Sequence, residues 1–238
     1  MNAQELQLQY YSQDAGNYAE KHVHENDDHL IACQLIRSLC SGMDVTSILD
    51  TGCGTGRGVS YFRTYFPQCR VVGNDISADL LKVATEQYLI PQDNLICCSS
   101  YELPFADNSF DIVTEFGILH HVAEPERVVT EMVRVARKAI FISDSNRFGQ
   151  GSLPSSLVKL LLYKTGLWWP LRRMVNGGKR WNYSEGDGIY YSYSVFDNLN
   201  ILENSLSKVF AIPTKAARKA AISPLLFAPH VLLCGFKQ

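Results

Sequence analysis

Between residues 45 and 145, five short apolar runs alternate with stretches of helical spacing, and each run gives way to a polar residue. The runs are "VTSILD", "RVVGND", "NLICCS", "FDIVTEF" and "AIFISDS". "RGVSYFRTYF", "SADLLKVATEQYL" and "PERVVTEMVRVARK" lie between them, with Ser77 placed to cap the second helix. Strands alternating with helices over about a hundred residues predict a mostly parallel sheet with helices on both faces, an α/β doubly wound, Rossmann-like class. Such sheets take ligands outside the carboxyl ends of their strands, where strand order switches. The residues to inspect are therefore Asp50, Asp75, Ser99, Glu115 and Asp144.

The flanks extend this pattern. Residues 3–41 have the spacing of two helices, and Gly42 is a stop signal. After Asp144 the character changes: residues 146–191 are rich in Trp, Tyr, Lys and Arg and carry few strand signals. Regular patterning resumes at "SVFDNLNILENSL", with Ser194 as a cap and Asp197 three residues on. "KVFAIPT" and "HVLLCGF" then read as closing strands, which brings the sheet to seven. The expected organisation is one domain over 1–238. It comprises N-terminal helices in 1–42, a core in 43–145, a cap or substrate insertion in 146–191, and a closing helix and strands in 192–238. The insertion is too short to bury a core of its own.

Composition removes several classes. The formal net charge of -2 gives no electrostatic case for nucleic acid. The N-terminus lacks the basic start and apolar core of a signal peptide. The stretch "SLPSSLVKLLLYKTGLWWPL" is too interrupted by lysines and prolines to span a bilayer. Seven cysteines without a C-x-x-C pair read as reduced thiols, which points to a cytoplasmic protein. No close Cys/His pairing has zinc-ligand spacing, so no metal is expected.

The run "ILDTGCGTGRG", residues 48–58, carries the ligand argument. It contains no Walker A pattern. Its glycines, at 52, 54, 56 and 58, miss the G-x-G-x-x-G dinucleotide fingerprint by one residue from either start. Asp50 stands at the strand end, two residues before the first glycine. A carboxylate there repels a pyrophosphate and suits a ligand with a cationic amine. S-adenosyl-L-methionine (SAM) has an ammonium, a sulfonium, a ribose and an adenine. Bare glycine backbone would let its methionine end approach closely. Asp75, at the end of the second strand, is placed to accept hydrogen bonds from ribose hydroxyls, and Ile76 to pack on adenine.

With "LDTGCGTG", "VVGNDIS", "YELPFADNSFDIV" and "GILHHV" in this order, the chain resembles the class I SAM-dependent methyltransferases. It is most similar to their ubiquinone/menaquinone-type and small-molecule members, over roughly residues 10–145. The resemblance implies that Asp50, Gly52, Cys53, Gly54 and Gly56 contact the methionine moiety and that Asp75 holds the ribose. It implies Ser99, Ser100 and Tyr101 at the adenine, although the family often has Asp-Ala where this chain has the two serines. Glu115, Phe116 and His121 would line the methyl-donor pocket, with Tyr11 and Tyr18 as candidates to close it. The family's Pro-Gly-Gly turn before the fifth strand is absent.

His121 is the candidate base. Methyl transfer is an in-line displacement, so a base helps only with a hydroxyl or similarly weak nucleophile. The expected partner is a small-molecule, sugar or lipid-like acceptor. The aromatic, basic segment over 163–181 has three readings: packing on the sheet edge, an acceptor pocket, or contact with an anionic membrane. Two other functions stay open at this stage. One is an NAD(P)-dependent oxidoreductase. The other is a non-catalytic SAM-binding or partner-binding protein of the same fold.

Overall fold

A computed structural model describes residues 3–22, 27–215 and 222–237. Two helices come first, α1 (Ala3–His22) and α2 (Asp28–Leu39). Asp27 caps α2, its side chain accepting from the Leu30 N–H. The alternating core follows: β1 (Ser47–Thr51), α3 (Arg57–Tyr65), β2 (Arg70–Asp75), α4 (Ala78–Tyr88), β3 (Leu95–Cys97), β4 (Phe110–Phe116), α5 (Pro125–Val135) and β5 (Ala136–Ser145). Ser77 caps α4 as its position in the sequence predicts.

The sheet has seven strands in the order β3-β2-β1-β4-β5-β9-β8, where β8 is Lys208–Pro213 and β9 is His230–Phe236. β1 to β5 pair in parallel, while β9 runs antiparallel to both β5 and β8. β1 is the first strand in the chain yet lies between β2 and β4. The switch in strand order therefore falls at its carboxyl end, the position that opens a crevice.

Successive strand residues feed opposite faces, as the pleat requires. Leu49, Val72, Val113 and Ile140 pack with Val128, Val129 and Met132 of α5 on one side. Ile48, Val71, Ile112 and Phe141 pack with Ile36 of α2 and Phe62 of α3 on the other. Both faces are covered, which explains why these strands read as unbroken apolar runs.

The insertion is more regular than its sequence predicts. It holds α6 (Leu153–Lys164), α7 (Trp168–Val175) and an antiparallel hairpin of β6 (Trp181–Ser184) and β7 (Gly188–Tyr191). Buried Arg147 joins it to the closing segment through a bidentate pair with Asp197 at 2.5 Å. Asp197 also completes the expected capping box with Ser194, ahead of α8 (Leu199–Ser205). A short helix, α9 (Pro224–Phe227), precedes β9. No helix among the described residues is long and apolar enough to cross a membrane.

Candidate active site

A cavity of about 460 Å³ opens at the carboxyl ends of β1, β2 and β3. Gly52, Asp75, Ile76, Ser99, Ser100, Tyr101, His121 and Tyr11 all line it, so eight of the sequence-predicted residues converge. α1 forms its roof and reaches the insertion: Gln7 accepts from the Ile189 N–H of β7 through Oε1.

Two loops build the floor. Gly52, Gly54 and Gly56 have φ of 66°, 52° and 84°, a left-handed region that favours glycine. The Gly54 N–H donates to Asp75 Oδ2 at 2.9 Å, and the Ser77 N–H donates to Oδ1 at 2.8 Å. Burial pushes the Asp75 carboxyl upward, opposed by these N–H groups. At the far end Ser99 Oγ accepts from the Tyr101 N–H, and Ser100 Oγ accepts from Asn74 Nδ2. The Tyr101 hydroxyl accepts from the Ala123 and Glu124 N–H groups, tying the β3 loop to the segment after β4.

Several predicted residues stand elsewhere. Asp50 is buried beneath the loop, not in the cavity wall, and Thr114 Oγ1 donates to it at 3.0 Å. A Cβ on Gly58 would meet Asp50 Oδ2 at 2.4 Å, so the carboxylate sits under the start of α3. Burial lifts its pKa to about 7. Glu115 is likewise sealed in, accepting from the Ile118 N–H, and burial followed by the Asp144 charge raises its carboxyl well above the usual range. Phe116 packs on Phe62 and His29, away from the cavity. Gly56 serves packing, since a Cβ there would meet Ile90 and Ala84 of the α4 layer. Cys53 faces Gly73 of β2, and neither it nor Gly54 is part of the cavity lining. Tyr18 lies on α1, with its side chain outside the described residues.

Beside the first cavity lies a charged cluster of which the sequence singled out Asp144 and His121 but not the pairing. His120 Nδ1 lies 2.6 Å from Asp144 Oδ1, and its Nε2 lies 3.7 Å from Asp187. Burial lowers the His120 pKa, but the two carboxylates outweigh it and hold the imidazole well above its ordinary value. Asp144 is pushed up by burial and pulled down further by His120, to about 2. His121 Nδ1 donates to the Ile189 carbonyl at 2.6 Å, because a carbonyl can only accept. His121 Nε2 lies 3.5 Å from Asp187 Oδ1. The two histidines and Asp187 each bring a ligand atom within 4.8 Å of the others, a set able to hold a metal ion that the sequence spacing did not predict. Asp187 was legible in part, because "EGDG" between aromatic runs is a hairpin signal.

A second cavity of about 400 Å³ adjoins the first, sharing Val122, Ala123 and Tyr191. Tyr163 of α6, Trp169 of α7, Arg180 and Tyr193 line it.

A family model described as a methyltransferase domain matches residues 49–142, the stretch that runs from the end of β1 through β5 and carries the floor of the first cavity. Residues 49–142 therefore hold a methyltransferase domain. SAM is the cofactor of that family. Among curated relatives, an uncharacterized methyltransferase of Schizosaccharomyces pombe is 34% identical over 104 residues, 40% of this chain and 37% of that protein. A phosphatidylethanolamine N-methyltransferase of Cereibacter sphaeroides is 34% identical over 119 residues, 48% of this chain and 57% of that protein. The matches thus span less than two thirds of either relative. The crystal structure of magnesium protoporphyrin IX methyltransferase from Synechocystis PCC 6803 with bound S-adenosylhomocysteine superposes over 100% of both chains, with a TM-score of 0.61 and 15% identity. That likeness is one of fold. The methyltransferase sheet and the expected class agree, and the glycine spacing that argued against a dinucleotide lies inside the matched segment.

Proposed function

We propose that this methyltransferase transfers the methyl group of SAM to a small, lipid-like acceptor by in-line displacement. The observation that carries the proposal is the pair of adjoining cavities, one lined by Gly52, Asp75 and two serines, one walled by four aromatic side chains, meeting at Val122, Ala123 and Tyr191. The residues present suit the cofactor. A carboxylate offers about four acceptor directions. Two on Asp75 are taken by N–H groups, which leaves acceptor capacity for two ribose hydroxyls on a residue that lines the cavity. Gly54 leaves open space where a Cβ would stand. Ser99, Ser100 and Tyr101 take the adenine end, while Gly52 and Tyr11 take the methionine end.

The cofactor supplies a methyl carbon on a sulfonium, already a good leaving group. The chain's own task is therefore to align the acceptor and exclude water. α1 and the β6–β7 hairpin close over the first cavity through the Gln7–Ile189 bond. His121 stands where the cavities approach one another and is the group placed to take a proton from a hydroxyl acceptor. Tyr163, Trp169, Tyr191 and Tyr193 suit an acceptor with an apolar or aromatic body. A relative named for phosphatidylethanolamine supports lipid-like chemistry.

The test is transfer of tritiated methyl from SAM to a panel of quinols, phospholipids, sugars and small amines. Label in an organic-extractable product, reduced at least tenfold in Trp169→Ala, is the expected result. Bound S-adenosylhomocysteine with no transfer to any acceptor would favour the non-catalytic reading. Transfer to sugars alone would remove the lipid-like acceptor.

A further inference from the structure

The insertion turns its helices the wrong way round for a soluble surface. α6 buries Ser156 completely and shows Leu153, Leu157, Val158 and Leu161 to solvent, the last at 64% exposure. α7 buries Trp168 and leaves Leu171, Met174 and Val175 outside, with Leu167 just before them and Met174 at 75% exposure. An ordinary surface helix shows its polar face and hides its apolar one. Eight of the twelve exposed large apolar side chains among the described residues fall within 153–175. Scattered exposed apolar residues need no explanation, but a concentration on two neighbouring helices does.

Charge on the same segment is equally one-sided. From Ser145 to Ser184 the chain has seven cations (Arg147, Lys159, Lys164, Arg172, Arg173, Lys179 and Arg180) and no Asp or Glu, although its overall net charge is -2. Arg147 is buried against Asp197, and Lys159 donates to the Arg147 and Gln150 carbonyls. The other five have no ion-pair partner among the described residues. Lys179 lies over the Trp181 ring at 4.4 Å and Arg180 over the Trp169 ring at 4.8 Å. Amphipathic tryptophans beside unpaired cations suit the polar boundary of a bilayer.

We infer that the outer face of α6 and α7 docks on an anionic phospholipid bilayer. The leucines, valines and Met174 would enter the acyl boundary, and Lys164, Arg173, Lys179 and Arg180 would meet headgroup phosphates. An apolar stripe and a basic rim each give marginal binding, and together they give stable attachment. An acidic protein partner would match the charge but not a stripe of aliphatic side chains on two helices. A second copy of the chain would bring like charge against like. Tyr163 and Trp169 sit on the docking helices and also line the second cavity, so attachment would bring that cavity to the lipid surface. Docking stands on this surface alone and does not require the methyl-transfer reading.

Sedimentation with sucrose-loaded vesicles tests it, using neutral phosphatidylcholine and the same lipid with about one third phosphatidylglycerol. The wild-type chain should pellet with the anionic vesicles and bind the neutral ones at least tenfold more weakly. Raised salt should release it. Leu161→Glu with Met174→Glu should abolish binding, and Lys164→Glu with Arg173→Glu should weaken it at least tenfold. All four side chains are exposed, so the melting temperature should stay close to wild type. Absence of binding to anionic vesicles at low salt would overturn the proposal, as would equal binding to both vesicle types. A lipid-free dimer dissolved by Leu161→Glu would overturn it too, by showing that a second copy covers the face. S-adenosylhomocysteine affinity, measured separately, keeps failure of docking distinct from failure of the methyltransferase reading.

Discussion

The Gly54 backbone N–H donates to Asp75 Oδ2 at 2.9 Å, so the glycine loop after β1 and the acid that ends β2 form one unit. The bond explains why both belong to a single binding floor. The loop must turn left-handed to aim that N–H, and the carboxylate needs it to remain buried at 6% exposure. A second N–H, from Ser77, fixes the other oxygen and opens α4.

Asp75→Asn tests the unit at its acceptor. The change keeps the shape but replaces one acceptor oxygen with a donor and removes the charge. Calorimetric titration with S-adenosylhomocysteine should show roughly 10- to 100-fold weaker binding, the value of one or two charge-assisted hydrogen bonds. Affinity unchanged from wild type would show that Asp75 does not hold the ribose.

Gly52 and Gly54 should respond differently to alanine. An added Cβ at Gly54 meets no atom within 4 Å, so Gly54→Ala carries backbone strain of about 1–2 kcal/mol. At Gly52 the same Cβ would lie 2.4 Å from Ile118 Cγ2, which adds a clash. Urea denaturation should place Gly52→Ala below Gly54→Ala in stability, and the reverse order would contradict the packing described.

Arg147 supports the insertion from inside. Its guanidinium pairs bidentately with Asp197 and lies 4.5 Å from the Phe148 ring and 4.6 Å from the Tyr163 ring. Arg147→Ala leaves a mostly buried carboxylate unpaired and should cost about 3–5 kcal/mol in denaturation midpoint analysis. Arg147→Lys should recover only part of that, because an ammonium cannot reproduce the fork. Loss within about 0.5 kcal/mol for either variant would contradict this anchoring role.

Asp111 sets a pH dependence remote from the cavity. Burial raises its carboxyl, but the Thr46 N–H and hydroxyl, then Lys138, outweigh it and hold the pKa at about 2, against an ordinary value of 3.8. A depressed folded pKa gives stability that is fully present above the unfolded value and is lost as pH falls through the folded one. Asp111 should therefore contribute about 1–2 kcal/mol above pH 4, fading between about pH 4 and pH 2, with solvation of Arg137 and Lys138 trimming the total. Asp111→Asn should lower stability at pH 6 and flatten the acid limb of a stability–pH curve. A parallel acid limb in wild type and variant would remove this assignment.

The core was legible because its signals are local. β1, β2, β4, β8 and β9 follow the apolar runs closely, and Ser77 and Ser194 cap where their positions predict. β5 starts at Ala136, inside the run first read as helix, because "VARKAIFI" has no turn residue to mark the change. Strand ends pointed to Asp75 and Ser99 but misplaced Asp50 and Glu115. Alternation tells which residues end a strand, whereas three-dimensional packing decides whether the last carboxylate faces the crevice or lies under a helix. The Gln7 bond to β7 and the His120–Asp144 pair were hidden for another reason. Each depends on contacts between segments 24 to 182 residues apart, which no short window contains.

The most direct test of the central claim is a calorimetric titration of the purified chain with S-adenosylhomocysteine, SAM, NAD and NADP. Saturable binding of the first two, with neither nicotinamide nucleotide bound, is the predicted result. Binding of NAD or NADP with no response to the SAM pair would contradict the account, because the glycine loop and Asp75 would then hold a dinucleotide.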